Sequence, residues 1–237
     1  SDVKVTCGDY PAVMGFDLGG IEMGDEKNLD SVPFTRIREE LVAHHERGGI
    51  VTLSWHPRNP LTGGTTWDNK ETTVAASILP GGSHHLKFLY WMRRIRNFLR
   101  TLHTSDGRPV PIIFRPWHEN NGGWFWWGAR GAENYIELYK LMFDRLVNYH
   151  GLNNLIWVWN GQNSDWYPGD EYVDIVAYDT YPGKQTYVTS HKELQIVQSA
   201  SEKPKLCALS ENGTLPDIEA LANENSLWGF FCTWNGE

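Results

Sequence analysis

One pattern limits the possible folds more than any other. Seven short runs of apolar, β-prone residues alternate with stretches whose apolar residues recur at helical spacing. The runs are Ala12–Asp17, Ile50–His56, Pro111–Pro116, Leu155–Trp159, Val173–Tyr178, Lys205–Ser210 and Gly229–Trp234. The stretches between them predict helices near Pro33–Arg47, His84–Thr104, Glu133–Tyr149, His191–Ala200 and Asp217–Asn223. Strands that are apolar on both faces and separated by helices belong to a parallel sheet whose outside is covered. In a chain of 237 residues, that points to an α/β fold, a single (β/α)8 TIM barrel domain, with an open α/β sheet as the alternative. Seven strands are one short of that barrel. The expectation is therefore that the first β/α unit and the last helix lie outside residues 1–237, leaving the domain incomplete at both ends.

Local signals agree with this alternation. Pro33 follows Ser31 at a plausible helix start, and Gly48-Gly49 ends that helix before the next strand. Tyr135, Leu138, Tyr139, Met142, Leu146 and Tyr149 form one apolar face. Arg93, Arg94, Arg96 and Arg100 are interleaved with Phe88, Leu89, Trp91, Met92, Ile95, Phe98 and Leu99, and read as the wet side of an amphipathic helix. Asn59–Lys70 and Trp124–Gly131 are long loops following strands, and in a barrel such loops form the active face.

Charge and composition narrow the partners. A net charge of −8 argues against a nucleic-acid backbone, which demands clustered Lys and Arg. No run of about 18 apolar residues is present to span a membrane. The three cysteines lack metal-type spacing; Cys207 and Cys232 read as buried thiols, and Cys7 is left open to pairing. No metal or cofactor is expected, and a monomer is. The anomaly is twelve tryptophans, many beside polar residues at strand ends and not inside apolar runs. An indole face against the C–H face of a sugar buries area on both while its N–H still donates a hydrogen bond.

The candidate chemistry sits at strand ends. Arg115-Pro116-Trp117-His118-Glu119-Asn120-Asn121-Gly122-Gly123 follows the apolar run Ile112–Phe114 and leads into Trp124-Phe125-Trp126-Trp127-Gly128. Glu119 reads as functional, the alternative being a buried ion pair with Arg115. Glu211 closes the run Leu206–Ser210 and precedes Asn212-Gly213, the alternative being a loop or capping carboxylate. Two carboxyl groups on different strands suit cleavage of a glycosidic bond, with one protonated to assist the leaving oxygen and the other ionised to attack. His56 ends another strand. Asp179 and Tyr181 alternate after Val173–Tyr178, so an extended chain points both to one side.

These segments together resemble glycoside hydrolase family 26, whose best-known members are endo-β-1,4-mannanases. The resemblance rests on Val13-Met14-Gly15-Phe16-Asp17, Ser54-Trp55-His56, Arg115-Pro116-Trp117-His118-Glu119, Trp124-Phe125-Trp126-Trp127-Gly128, Trp157-Val158-Trp159-Asn160, Asp179-Thr180-Tyr181, Glu211-Asn212-Gly213 and Trp234. It implies a (β/α)8 barrel that hydrolyses a β-linked polysaccharide by double displacement with retention, with Ala12–Asp17 as the second strand of the full barrel. It also implies roles. Glu119 would be the acid/base and Glu211 the nucleophile. His118, His56 and Trp124 would contact the sugar near the bond being cut. Tyr181 would orient Glu211, with Asp179 in support. Trp234 would be a stacking platform, with Trp159 or Asn160 as the adjoining wall. The same pair of glutamates would serve mixed-linkage β-glucan or β-1,3-xylan, and His56, Trp124 and the Trp67 loop would choose among sugars. A catalytically silent carbohydrate-binding barrel is the alternative of another class. Because polymers do not enter cells whole, a secreted, periplasmic or cell-surface location is expected.

Overall fold

The computed structural model describes residues 2–234. Seven parallel strands follow one another around a nearly closed barrel in the order of the sequence: β1 (Val13–Asp17), β2 (Ile50–Trp55), β3 (Ile112–Pro116), β4 (Leu155–Asn160), β5 (Ile175–Thr180), β6 (Leu206–Asn212) and β7 (Phe230–Thr233). Each strand pairs with the next. Between β1 and β7 no ladder forms among the described residues, but both strands line one interior cavity.

The helices are α1 (Asp2–Cys7), α2 (Phe34–Glu46), α3 (Val74–Ile78), α4 (His85–Leu99), α5 (Ala132–Phe143), α6 (His191–Ala200) and α7 (Ile218–Asn223). Two of these were not anticipated. Asp2–Cys7 reads as a loop in sequence because it has no apolar stripe, and Val74–Ile78 is too short to show a period. The helix expected over Glu133–Tyr149 is α5 followed by a wider π-helical segment, Asp144–Tyr149. No helix among the described residues is long and apolar enough to cross a membrane.

Alternation along each strand divides the molecule into two layers. Ile112, Phe114, Leu155, Trp157 and Trp159 point outward and pack with the helical stripes, including Phe88, Trp91, Met92 and Ile95 of α4. Ile113, Val158, Ile175, Ala177 and Ala208 point inward and form a second, small cluster. Toward the strands' C-terminal ends the inward positions turn polar: Asp17, Ser54, Arg115, Asn160, Asp179 and Ser210. All three cysteines are free thiols; Cys7 is exposed, Cys207 buried and Cys232 half-buried.

Candidate active site

The site is assembled where those inward polar positions meet the loops. Asp179 lies on β5, and Arg115 on β3 donates to its Oδ2 from Nη1 at 2.9 Å. The Nη2 of the same guanidinium donates to Oε1 of Glu211 on β6. Arg115 therefore ties two buried carboxylates together, and their charges hold it protonated against the penalty of burial. Asp179 Oδ1 accepts from Asn160 Nδ2 at 2.9 Å and from Ser210 Oγ at 2.6 Å. Burial pushes the Asp179 carboxyl up, and the Arg115 charge opposes that push.

Glu211 faces this cluster because β6 bulges. Tyr178 pairs with Leu209, but Asp179 pairs with Glu211, which leaves Ser210 as an extra residue. Strict alternation would turn Ser210 and Glu211 to opposite faces; after the bulge both line the interior. The Tyr181 hydroxyl donates to Glu211 Oε2 at 2.6 Å. Glu211 thus accepts from a donor on each oxygen, the bonding pattern of an ionised carboxylate.

Glu119 stands on the loop after β3. Trp117 and Glu119 both take left-handed backbone, with φ of 54° and 49°, an uncommon conformation for side chains of this kind. The Glu119 N–H donates to Asn160 Oδ1 at 2.6 Å, and Trp124 Nε1 donates to Glu119 Oε2 at 2.7 Å. Burial and the negative charge of Glu211 push the Glu119 carboxyl above its usual range; the Trp124 hydrogen bond and Arg115 pull the other way. Arg115 forms its ion pairs with Asp179 and Glu211 and not with Glu119, so the ion-pair alternative for Glu119 is not what the structure builds. Glu119, Asp179 and Glu211 each have a carboxylate oxygen within 4.8 Å of the others. The positive charge inserted among them is the Arg115 guanidinium.

The remaining candidates separate by depth. Trp124, Tyr181 and Trp234 are partly exposed at the mouth, at 41%, 44% and 45%. Trp67 is exposed as well and stacks on His56, with ring centroids 5.9 Å apart. His56 and His118 lie deeper, with their Nε2 atoms 2.9 Å apart. Asn160 joins the carboxylate cluster, but Trp159 does not. Trp159 is fully buried on the outer face of β4, where its Nε1 donates to Trp166 O at 3.1 Å and its ring packs on Tyr167. The expectation that Trp159 walls the cleft is corrected by strand parity: Asn160 points in, so its neighbour points out. Arg115, Ser210 and Asp17 were not singled out as site residues. Their one legible signal was a polar side chain at the end of an apolar strand.

A barrel whose strand ends gather a carboxylate pair beneath exposed tryptophans belongs, as a class, with the glycoside hydrolases. Residues 1–237 match Glycosyl hydrolase family 26, and the chain belongs to that family. It is 37% identical over 207 residues to a mannan endo-1,4-beta-mannosidase of Thermothelomyces thermophilus, covering 83% of this chain and 42% of that protein. It is also 37% identical over 242 residues to one of Bifidobacterium adolescentis, covering 91% of this chain and 24% of the relative. The chain thus spans less than half the length of these curated relatives. Among solved structures, a family 26 beta-mannanase of Bacteroides ovatus superposes with a TM-score of 0.89 at 37% identity, covering 99% of this chain and 74% of that one.

Proposed function

We propose that this chain carries the hydrolytic centre of a retaining endo-β-1,4-mannanase. The observation that carries the reading is the approach of the Glu119 and Glu211 carboxylates, with oxygens within 4.8 Å, combined with their opposite surroundings. Retaining glycosidases hold the two carboxyl groups about 5–5.5 Å apart, whereas inverting ones leave about 6.5–9.5 Å for a water. Glu211, held by Arg115 and Tyr181, attacks the anomeric carbon as the glycosidic bond breaks. Glu119, whose proton is retained by burial and by the charge of Glu211, gives that proton to the leaving oxygen. A covalent glycosyl–enzyme results. Glu119, now ionised, takes a proton from water, and the water oxygen displaces Glu211 with a second inversion. Mannan as substrate is supported by the names of the two relatives above, and an extracellular or cell-surface setting by the size of such a polymer.

The test is sugar release from β-mannan, mixed-linkage β-glucan and β-1,3-xylan, with the anomer of the first product read by NMR. Cleavage of mannan with the β-anomer formed first is expected. An α-anomer first would remove Glu211 as nucleophile, and preferential release from glucan or xylan would replace the substrate. Glu211→Ala should lower the mannan rate by more than about 10³-fold; a loss within about tenfold would also remove that role.

A further inference from the structure

Asp17 at the end of β1 contacts neither glutamate, yet it anchors a buried chain of polar groups that ends beside Glu119. Its Oδ1 accepts the backbone N–H of Gly19 at 2.6 Å and of His56 at 3.2 Å. Its Oδ2 accepts from Ser54 Oγ at 2.8 Å and meets His56 Nδ1 at 2.7 Å. Beyond His56, the ring continues through Nε2 to His118 Nε2 at 2.9 Å. Glu119 is the next residue after His118.

We propose that Asp17 is a positioning residue for the hydrolytic step, acting through the order of protons on His56 and His118 to hold the turn that carries Glu119. The proposal rests on the reading of Glu119 as acid/base. Its physical basis begins with the carboxylate of Asp17, which is buried and surrounded by donors. Burial pushes this carboxyl up, but the His56 ring and the hydrogen bonds from His56, Gly19 and Ser54 hold it below the usual range. An ionised carboxylate only accepts, so His56 Nδ1 carries a proton. Two ring nitrogens 2.9 Å apart hold one proton between them. Burial, and next the charge of Arg115, keep His118 uncharged. In the proposed order, His56 offers a lone pair at Nε2 and His118 donates to it from its own Nε2. His118 Nδ1 is then a bare acceptor, and it is buried without a protein partner.

His118 also holds the turn through both its side chain and its main chain. Its neighbours Trp117 and Glu119 are both left-handed, and its carbonyl accepts from Trp127 Nε1 at 2.9 Å. The His56–His118 bond holds the same residue from the barrel side. Reversing the proton order keeps a proton between His56 and His118 but puts an N–H at His118 Nδ1, which is buried without an acceptor, so the ring must turn to satisfy it. The turn then loses that grip, and the Glu119 carboxyl is free to move relative to Glu211.

Asp17→Asn tests this with little change of shape. The amide keeps an acceptor for Gly19 and the His56 backbone but sets an NH₂ against His56 Nδ1. His56 must then place its proton on Nε2, and His118 must carry its own on Nδ1. In wild-type protein, ¹⁵N spectra of the imidazoles should show His118 protonated on Nε2 and bare on Nδ1; in Asp17→Asn the order should reverse. With it, kcat on β-mannan should fall roughly 10²-fold at near-constant KM. A kcat within about threefold of wild type despite the reversed order would overturn the proposal. So would wild-type spectra with His118 protonated on Nδ1, a measurement that decides the matter even if the variant does not fold. If the wild type cleaves no β-linked polymer, the reading of Glu119 fails and takes the positioning role with it. The spectra in that case still decide whether Asp17 sets the proton order.

Discussion

At the scale of single residues, the two glutamates differ in what surrounds them, not in kind. Glu211 accepts from Arg115 and Tyr181, whereas Glu119 accepts from Trp124 and faces the charge of Glu211. This difference has a consequence for stability that needs no substrate. Burial, and then the Glu211 charge, raise the carboxyl of folded Glu119 above its value in the unfolded chain. The folded state therefore binds the Glu119 proton more tightly. Its contribution to stability is fully present below the unfolded carboxylate range and is lost as pH rises through the raised folded value. At neutral pH the folded state's stronger hold on the Glu119 proton opposes folding, because the unfolded side chain has given that proton up, and Glu119→Gln removes the titration while keeping an acceptor for Trp124. The variant should melt a few degrees above wild type at pH 7, with the gain shrinking away as pH falls to about 4. Thermal melts across that range check the sign, and an unchanged or lower midpoint at pH 7 would refute it. Both glutamates stand out in the sequence as carboxylates at or just beyond the end of an apolar run. The Asp17–His56–His118 chain does not, because it joins residues far apart in sequence and nothing local marks them as partners.

At the scale of elements, two backbone irregularities aim the site, and neither has a sequence signal. One is the bulge in β6 that brings Glu211 inward beside Ser210. The other is the left-handed turn at Trp117 and Glu119, where neither residue is the Gly or Asn that usually marks such a conformation. What holds this turn is visible in the glycine that closes it. A Cβ on Gly128 would lie 2.1 Å from the carbonyl oxygen of Asn120. That obstacle is main chain, so no rotamer change relieves it, and the loop must move by about an ångström to reach van der Waals contact. Gly128→Ala should therefore cost roughly 10²-fold in mannan hydrolysis, since a displacement of about 1 Å at a reacting group is worth that much. A rate near wild type, with a crystal structure showing Glu119 undisplaced, would show that the turn yields elsewhere. The Gly-Gly pair and the aromatic run mark a loop in the sequence, but nothing local marks its left-handed residues, and the bond from the Glu119 N–H to Asn160 on β4 joins positions 41 apart in the chain.

At the scale of the whole molecule, the alternation of apolar runs and helical stripes made the barrel legible, because only a parallel sheet covered by helices buries both faces of its strands. That same double burial hid the parity. In Leu155-Ile156-Trp157-Val158-Trp159-Asn160 every residue but the last is apolar, so nothing in the run says which set points inward, and the sequence leaves Trp159 and Asn160 both as candidates for the cleft wall. Parity also decides where the molecule's stability resides. The outer layer is continuous and aromatic: Phe114 is fully buried there, edge-on to Trp157 at 5.2 Å between ring centroids. The inner layer is a small aliphatic cluster, and its Ile113 borders an interior cavity. Adjacent residues on β3 thus occupy very different surroundings. Phe114→Ala removes a ring from a close-packed layer that cannot collapse onto the gap, and should cost about 3–5 kcal/mol. Ile113→Ala enlarges a space that is already open, so fewer packing contacts are lost. Its cost should sit at the low end for such a truncation, about 2 kcal/mol. Urea unfolding of both variants checks the order. If Ile113→Ala proved the more damaging, the barrel would be held from within, and the aromatic layer between strands and helices would not be its principal support.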